Sequence, residues 1–296
     1  MKNIYALKAE LDSLVSLKEL TESLNYMSAA KMMKVRAKVL ETRAFLEEAL
    51  KTRIELQRYI VLLKLKEKNP KKNEKKFINN QTLIIAIMTD QGLCGSFNQQ
   101  LAKKILKDFV GKKAHLILVG KKGAGYFRKS NLAENMQIYR LPTKDNSSDI
   151  KVIFNQISNF GTVNVYFNKY LNAVKTDPQG YVYKSMSDNQ TAQNLSKVEI
   201  KAEDIQIDDI SKTFVVEPNV DEVNTYFENV ISQAVFMHQM LESQLSENNS
   251  RMLAMKEASD NIVELIVKQR KLINTTRRQK INQSLSELFG ALLSNN

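Results

Sequence analysis

Two segments of the chain repeat apolar positions at helical intervals, and a third, between them, gathers its apolar residues into short runs. In the first segment Ile4, Leu7, Leu11, Leu14, Leu17, Leu20, Leu24 and Met27 are spaced 3-4-3-3-3-4-3. This is close to a heptad repeat with three-residue slips, which overwind a coiled coil. Val35, Val39 and Leu46 carry the apolar character onward. In the last segment Val223, Phe227, Val230, Ala234, Met237, Leu241 and Leu245 are spaced 4-3-4-3-4-4, and Met252, Met255, Ser259, Ile262 and Ile266 resume at 3-4-3-4. Helix breakers follow the same division. The chain has nine Gly and four Pro, yet residues 1–69 and 219–289 contain neither type. An interior Gly costs a helix about 1 kcal/mol and an interior Pro about 3 kcal/mol. Two long helical arms are therefore predicted, and at 1.5 Å per residue they reach roughly 90 and 110 Å. Helices of that length imply a coiled coil, and because a compact domain between them tends to have its ends close together, the arms can leave the same side and pair antiparallel.

The punctuated middle reads as alternating strand and helix. Residues 82–89, 115–119 and 162–167 are buried-strand runs, while 97–110 and 149–160 have helical spacing. This βαβαβ order predicts a mainly parallel sheet with covering helices, a Rossmann-like α/β domain. Weaker strand signals fall at 181–186, 198–207 and 212–216, and 64–76 is a Lys/Asn-rich linker around Pro70. Pro218, then Asn219 as an N-cap with Glu222 three residues later, marks the start of the last helix. The predicted division is a helix at 1–69, an α/β domain at 70–218 and a second helix at 219–296.

Charge and composition narrow the chemistry. The net charge of +12 predicts an acidic partner surface. A single cysteine, Cys94, permits no intrachain disulfide, and with only two histidines, His115 and His238, no conventional zinc site is expected. A reducing cytosol fits this cysteine usage. No apolar run approaches the ~20 residues that span a bilayer. The opening MKNIYALKAELD carries acidic residues early, against a secretory or transit leader.

Two glycine-rich turns are the candidates for nucleotide chemistry. GKKGAGYF at 120–127 has Gly120 and Gly125 at P-loop spacing, but Tyr126 and Phe127 stand where Lys and Ser/Thr are required. Arg128 replaces the third glycine of a dinucleotide fingerprint. In TDQGLCGSFN at 89–98, Cys94 is a nucleophile only if it has a base, and His115 is the one candidate. The turn reading, in which Gly92 and Gly95 supply unusual backbone angles around Cys94, is the stronger one. No catalytic residue, cofactor or metal is expected on this chain. Residues 251–280 hold eight Lys/Arg against three Asp/Glu, with Arg270, Lys271, Arg277, Arg278 and Lys280 together, and no aromatic ring among them to stack on bases. Ile281, Leu285, Leu288, Phe289, Leu292 and Leu293 then make an apolar end.

Several of these stretches carry a resemblance. SENNSRMLAMKEASDN at 246–261 closely resembles the C-terminal signature of the F-type ATP synthase gamma subunits. INTTRRQKI at 273–281 is similar to the segment that follows it in that family, DQGLCG at 90–95 to the family's DRGLCG, SAAKM at 28–32 to the end of its N-terminal motif, and KTFVVEP at 212–218 to the strand before its last helix. The departures are Ser16–Thr21 in place of a basic segment, Gln91 for Arg and Ile273 for Tyr.

The resemblance implies a non-catalytic central rotor. Its coiled coil stands inside a hexamer of alpha and beta subunits that holds the nucleotide sites. Its α/β domain meets the epsilon subunit and the membrane ring of c subunits. It implies that Arg278 and Gln279, beside Arg277, meet a beta-subunit loop and that Lys31 faces the collar. It also implies a peripheral place on the cytoplasmic side of a bacterial inner membrane, with no nucleic acid partner. Two other classes compete: a basic coiled-coil protein that binds nucleic acid, and a nucleotide-binding enzyme built on the middle domain.

Overall fold

The computed structural model describes residues 3–66, 79–141, 152–153, 156–157, 160–172, 176–184 and 220–294. The linker around Pro70, the strand signals at 198–207 and 212–216, and the cap at Pro218 and Asn219 lie outside the described residues. So does most of the 149–160 helix; of its described positions, 152–153 and 156–157 are helical, and Phe160 is already strand.

Two long helices open and close the chain, α1 (Ile4–Lys66) and the last helix, α3 (Val220–Ser294). Between them lie β1 (Asn79–Ile87), α2 (Phe97–Asp108), β2 (His115–Val119), a 3-10 turn at Lys121–Tyr126, β3 (Met136–Tyr139), β4 (Phe160–Tyr170) and β5 (Thr176–Lys184). The chain divides into two compact units: Met1–Lys31 with Arg251–Asn296, and Met32–Ser250. Each long helix contributes to both.

The larger unit is built on one mixed sheet in the order β3-β2-β1-β4-β5. Its first four strands are parallel, and β5 runs antiparallel to β4. Chain order reverses direction at β1, as in doubly wound sheets. β1 is central and buried on both faces, which is why 83–88 read as a continuous apolar run rather than an alternating one. Its odd positions Leu83, Ile85 and Ile87 join Ile117, Val163 and Val165 on one face, against Leu46 of α1 and Ile231, Val235, Phe236 and Met240 of α3. Its even positions Ile84, Ala86 and Met88 join Leu116 and Leu118 on the other, under Leu101 and Ile105 of α2 and Phe127. Each such side chain contributes roughly 1.5–3 kcal/mol on burial. In this unit Arg53 of α1 also holds Glu228 of α3, Nη2 to Oε1 at 3.0 Å.

One strand, β3, escaped the sequence pattern, and another, β5, was met only in its second half by the weak signal at 181–186. β3 is only four residues long, and β5 begins at Thr176 although it contains Pro178 and Gly180. Among the described residues β5 is an edge strand, where a missing N–H is tolerated. Gly180 is paired with Tyr166, and a Cβ there would stand 2.5 Å from the tyrosine ring.

Along α1 an unbroken 3-4 heptad takes in only buried and half-buried positions: Ile4, Leu7, Leu11, Leu14, Lys18, Thr21, Asn25, Ser28, Met32, Val35, Val39, Thr42, Leu46, Ala49, Arg53, Leu56. This corrects the seam read from the sequence. Leu17, Leu20 and Met27 are 46%, 55% and 53% exposed. A three-residue slip rotates the apolar stripe away from the steady seam, and the packing keeps the seam instead of following the stripe. The hydroxyls it buries at Thr21 and Ser28 donate back to the Lys18 and Leu24 carbonyls at 2.8 Å, so neither is left unsatisfied.

Candidate partner-docking surface

The four residues expected to touch partners, Lys31, Arg277, Arg278 and Gln279, all belong to the smaller unit and all are exposed. In that unit α3 buries Met255, Ser259, Ile262 and Ile266 and half-buries Gln269, Ile273 and Thr276, a regular 4-3-4-3-4-3 series. Gln269 fixes the register against α1. Its Nε2 donates to the Leu7 carbonyl at 3.0 Å and to Glu10 Oε2 at 2.8 Å. Beyond Thr276 the pattern stops. Every residue from Arg277 to Gly290 is exposed, including Ile281, Leu285, Leu288 and Phe289. This helical end offers cations first and an apolar stripe after them. The structure does not gather the four residues into one spot, because Lys31 lies roughly 36 Å along α1 from Leu7. Arg277, Arg278 and Gln279 sit together, one helical turn past the last half-buried position.

A second exposed stripe was not foreseen. Leu17, Leu20 and Met27 line one side of α1 in the same unit. The signal was present in the sequence, but it was assigned to the seam.

The larger unit carries the two glycine-rich turns, side by side at the carboxyl ends of the strands. Here the geometry bears on the nucleotide question. A phosphate cradle needs free backbone N–H groups. The N–H of Gly120 donates to the Tyr139 carbonyl at 2.8 Å, that of Lys121 to Asp90 Oδ1 at 3.1 Å, and that of Lys122 to the Thr89 carbonyl at 3.0 Å. Asp90 Oδ2 accepts from the Leu141 N–H at 2.9 Å. One carboxylate thus clips the segments after β2 and β3 to the end of β1. Gly120 itself has φ +113°, and a Cβ there would stand 2.4 Å from the Met88 carbonyl oxygen. The glycine lets two backbones meet; it does not open a site.

The turn at 89–98 is held by Asn98, whose Oδ1 accepts from the Thr89 N–H at 3.2 Å and whose Nδ2 donates to Thr89 Oγ1 at 2.7 Å. Cys94 is buried against this pair, its Sγ 3.9 Å from both Thr89 Oγ1 and Asn98 Nδ2. His115 is no base for it. It starts β2 at the opposite edge of the sheet, with its ring 5.2 Å from that of Phe160. The left-handed backbone falls on Leu93 and Gly95, at φ 65° and 57°. Gly92 is outside that region, and a Cβ on it meets nothing within 4 Å, so the expectation of an unusual angle at Gly92 is corrected. Asp90 and Asn98, rather than the glycines alone, hold this turn. An Asp directly after an apolar strand was the available signal.

Two titrating groups are perturbed. Burial lowers the His238 imidazole below its ordinary 6.5, and the charges of Arg43 and Lys169 lower it further. Its Nε2 lies 3.6 Å from Glu242 Oε1, and its Nδ1 has no hydrogen-bond partner among the described residues. The Tyr166 hydroxyl is pushed up by burial and by donating to Asp108 Oδ2 at 2.9 Å. No helix among the described residues is long and apolar enough to cross a membrane.

Known proteins resemble the chain along its whole length. A family model described as ATP synthase matches residues 3–293. The ATP synthase gamma chain of Rickettsia felis is 26% identical over 305 residues, covering 98% of each chain. That of Clostridium perfringens is 24% identical over 294 residues, covering 96% of this chain and 95% of its own. Among solved structures, a chain of the Euglena gracilis mitochondrial ATP synthase, in a complex described as OSCP/F1/c-ring, superposes with a TM-score of 0.63 at 14% identity, covering 98% of this chain and 94% of its own.

Proposed function

The chain belongs to the gamma subunits of the F-type ATP synthases, and from that membership we propose how its own residues serve a central rotor. The observation that carries this reading is the family match, which takes in both long helices and the sheet between them. The chain is a shaft that couples rotation and ion translocation to ATP synthesis or hydrolysis on an alpha/beta hexamer. It catalyses nothing itself. The loop that would have to cradle phosphates has its first three amides, of Gly120, Lys121 and Lys122, committed to protein acceptors, which supports that part of the reading.

In this proposal the terminal arms at 1–69 and 219–296 form an antiparallel coiled coil. Burial in the smaller unit supports the direction. If the helices ran parallel with Leu7 beside Gln269, Ser28 would lie beside Gly290; yet Ser28 is buried and Gly290 is exposed. The steady heptad gives the shaft its seam. Its uncovered faces are the ones that meet partners. Arg277 and Arg278 can fork onto carboxylates, and Gln279 both donates and accepts. Contacts of this kind are made and broken at modest cost, as a turning shaft requires. Lys31 serves the same collar from α1, and the apolar end from Ile281 is covered by the hexamer. The α/β domain at 70–218 meets the epsilon subunit and the c ring, placing the chain peripherally on the cytoplasmic side of a bacterial inner membrane.

The test is co-expression of the chain with alpha and beta subunits from the same source. One complex that hydrolyses ATP, together with an isolated chain that does not, is the expected result. Recovery with nucleic acid that salt releases steeply, and without the large subunits, overturns it.

A further inference from the structure

The charge of this protein is not spread evenly. Residues 97–140 hold ten Lys/Arg against Asp108 and Glu134, which is eight of the twelve net positive charges. They belong to α2, the 3-10 turn and the segments around them, the layer that covers one face of the sheet. At the end of α2 this layer comes to a point. The chain turns over Phe109–Lys112, closed by the Lys112 N–H donating to the Phe109 carbonyl at 3.2 Å. Gly111 takes the left-handed angle, φ +70°, that such a turn requires of its third residue. The turn leaves Val110 at its corner, 76% exposed. Lys107, Lys112 and Lys113 lie within three residues of it in the chain, all exposed, and Asp108 among them accepts from the Tyr166 hydroxyl.

An apolar side chain at the apex of a tight turn, with exposed lysines on both sides of it in the chain, matches one kind of surface. We propose that this turn docks on an anionic lipid bilayer, with Val110 entering the headgroup region and the three lysines among the lipid phosphates. The inference goes beyond the rotor reading and does not depend on it. Each lysine next to an anionic leaflet strengthens binding about fivefold, and the effect fades within a Debye length. Val110 adds the apolar contact that pure charge attraction lacks. Nucleic acid fits less well, because the one ring at the turn is not offered for stacking. Phe109 is half-buried, edge-on to Tyr166 at 6.2 Å, with Lys112 Nζ 5.8 Å from its centroid on the other side. The turn precedes β2, whereas Lys121 and Lys122 follow it, so those two lysines lie at the opposite edge of the sheet and serve as a matched control.

The chain contains no Trp, so a single indole can report from the turn itself. Full-length Val110→Trp is mixed with vesicles of phosphatidylcholine, alone or in equal parts with phosphatidylglycerol. With the anionic vesicles the emission should shift to the blue and become shielded from iodide; with the neutral vesicles it should do neither. Lys112→Glu with Lys113→Glu should weaken vesicle binding at least about twentyfold, from the lysine contributions above, while Lys121→Glu with Lys122→Glu changes it far less. An indole that stays exposed while the protein sediments with vesicles overturns the proposal, since another part, such as the apolar end of α3, is then the anchor. Equal losses in the two charge-reversed pairs overturn it as well, by reducing the effect to net charge. Capture of single-stranded RNA that needs Lys112 and Lys113, with no vesicle binding, assigns the turn to nucleic acid instead.

Discussion

Replacing Gly120 by Ala should be among the most damaging single-methyl changes in this protein. Two costs combine. At φ +113° an L-residue sits in a backbone region that costs on the order of 1–3 kcal/mol. The new Cβ also stands 2.4 Å from the Met88 carbonyl oxygen, 2.6 Å from its carbon and 2.9 Å from the Thr89 nitrogen. All three are backbone atoms of the central strand's end, so no side chain can swing away, and forced backbone shifts of this sort cost about 1–3 kcal/mol. Together they predict a loss of about 4 kcal/mol, which falls on β1 and β2. Because the chain has two compact units, a single unfolding midpoint is a poor measure. Hydrogen exchange of the β1 and β2 amides in the full chain is the better assay, and they should exchange at least about a hundredfold faster. Gly92→Ala and Gly125→Ala are the controls. Neither meets an atom within 4 Å or has a left-handed φ, so each should stay within about 0.5 kcal/mol of the parent. Native-like exchange in Gly120→Ala, or equal damage in Gly92→Ala, would refute the account of these turns as packing devices.

Three further outcomes are expected. Glu228→Ala should cost about 2–3 kcal/mol, because it strands the Arg53 guanidinium, whose side chain is 5% exposed. Arg53→Met with Glu228→Leu should restore most of that loss in urea unfolding, and a double variant as weak as the single one contradicts the argument. For His238 the folded imidazole is held below its ordinary 6.5, so the unfolded chain binds the proton more tightly. Stability is then complete above about 6.5 and falls as the pH drops toward the folded value; His238→Gln should flatten that part of the profile, and an unchanged slope would exclude this histidine as its source. Arg278→Ala with Gln279→Ala should reduce ATP turnover of the assembled complex while far-UV circular dichroism of the chain is unchanged, since both side chains are exposed. A melted helix, or untouched turnover, removes them from the contact.

The amino-acid sequence by itself determined what local rules govern. Breaker-free arms had to be helices, since no Gly or Pro interrupts them and alternatives gain nothing. Apolar runs such as 83–88 had to be buried strands, and a loop with Tyr126 and Phe127 in place of Lys and Ser/Thr could not be a P-loop. What depends on a second stretch of chain was decided only in three dimensions. Leu17 and Leu20 look like seam residues until a partner helix selects Lys18 and Thr21 in their place. The crowded glycine is Gly120 rather than Gly92, because crowding at Gly120 comes from Met88, thirty-two residues away. Pro178 is acceptable in a strand because β5 lies at the edge of the sheet that the described residues form, a property of strand order rather than of its residues. Propensity acts through neighbours in sequence, whereas seam, crowding and edge are properties of neighbours in space.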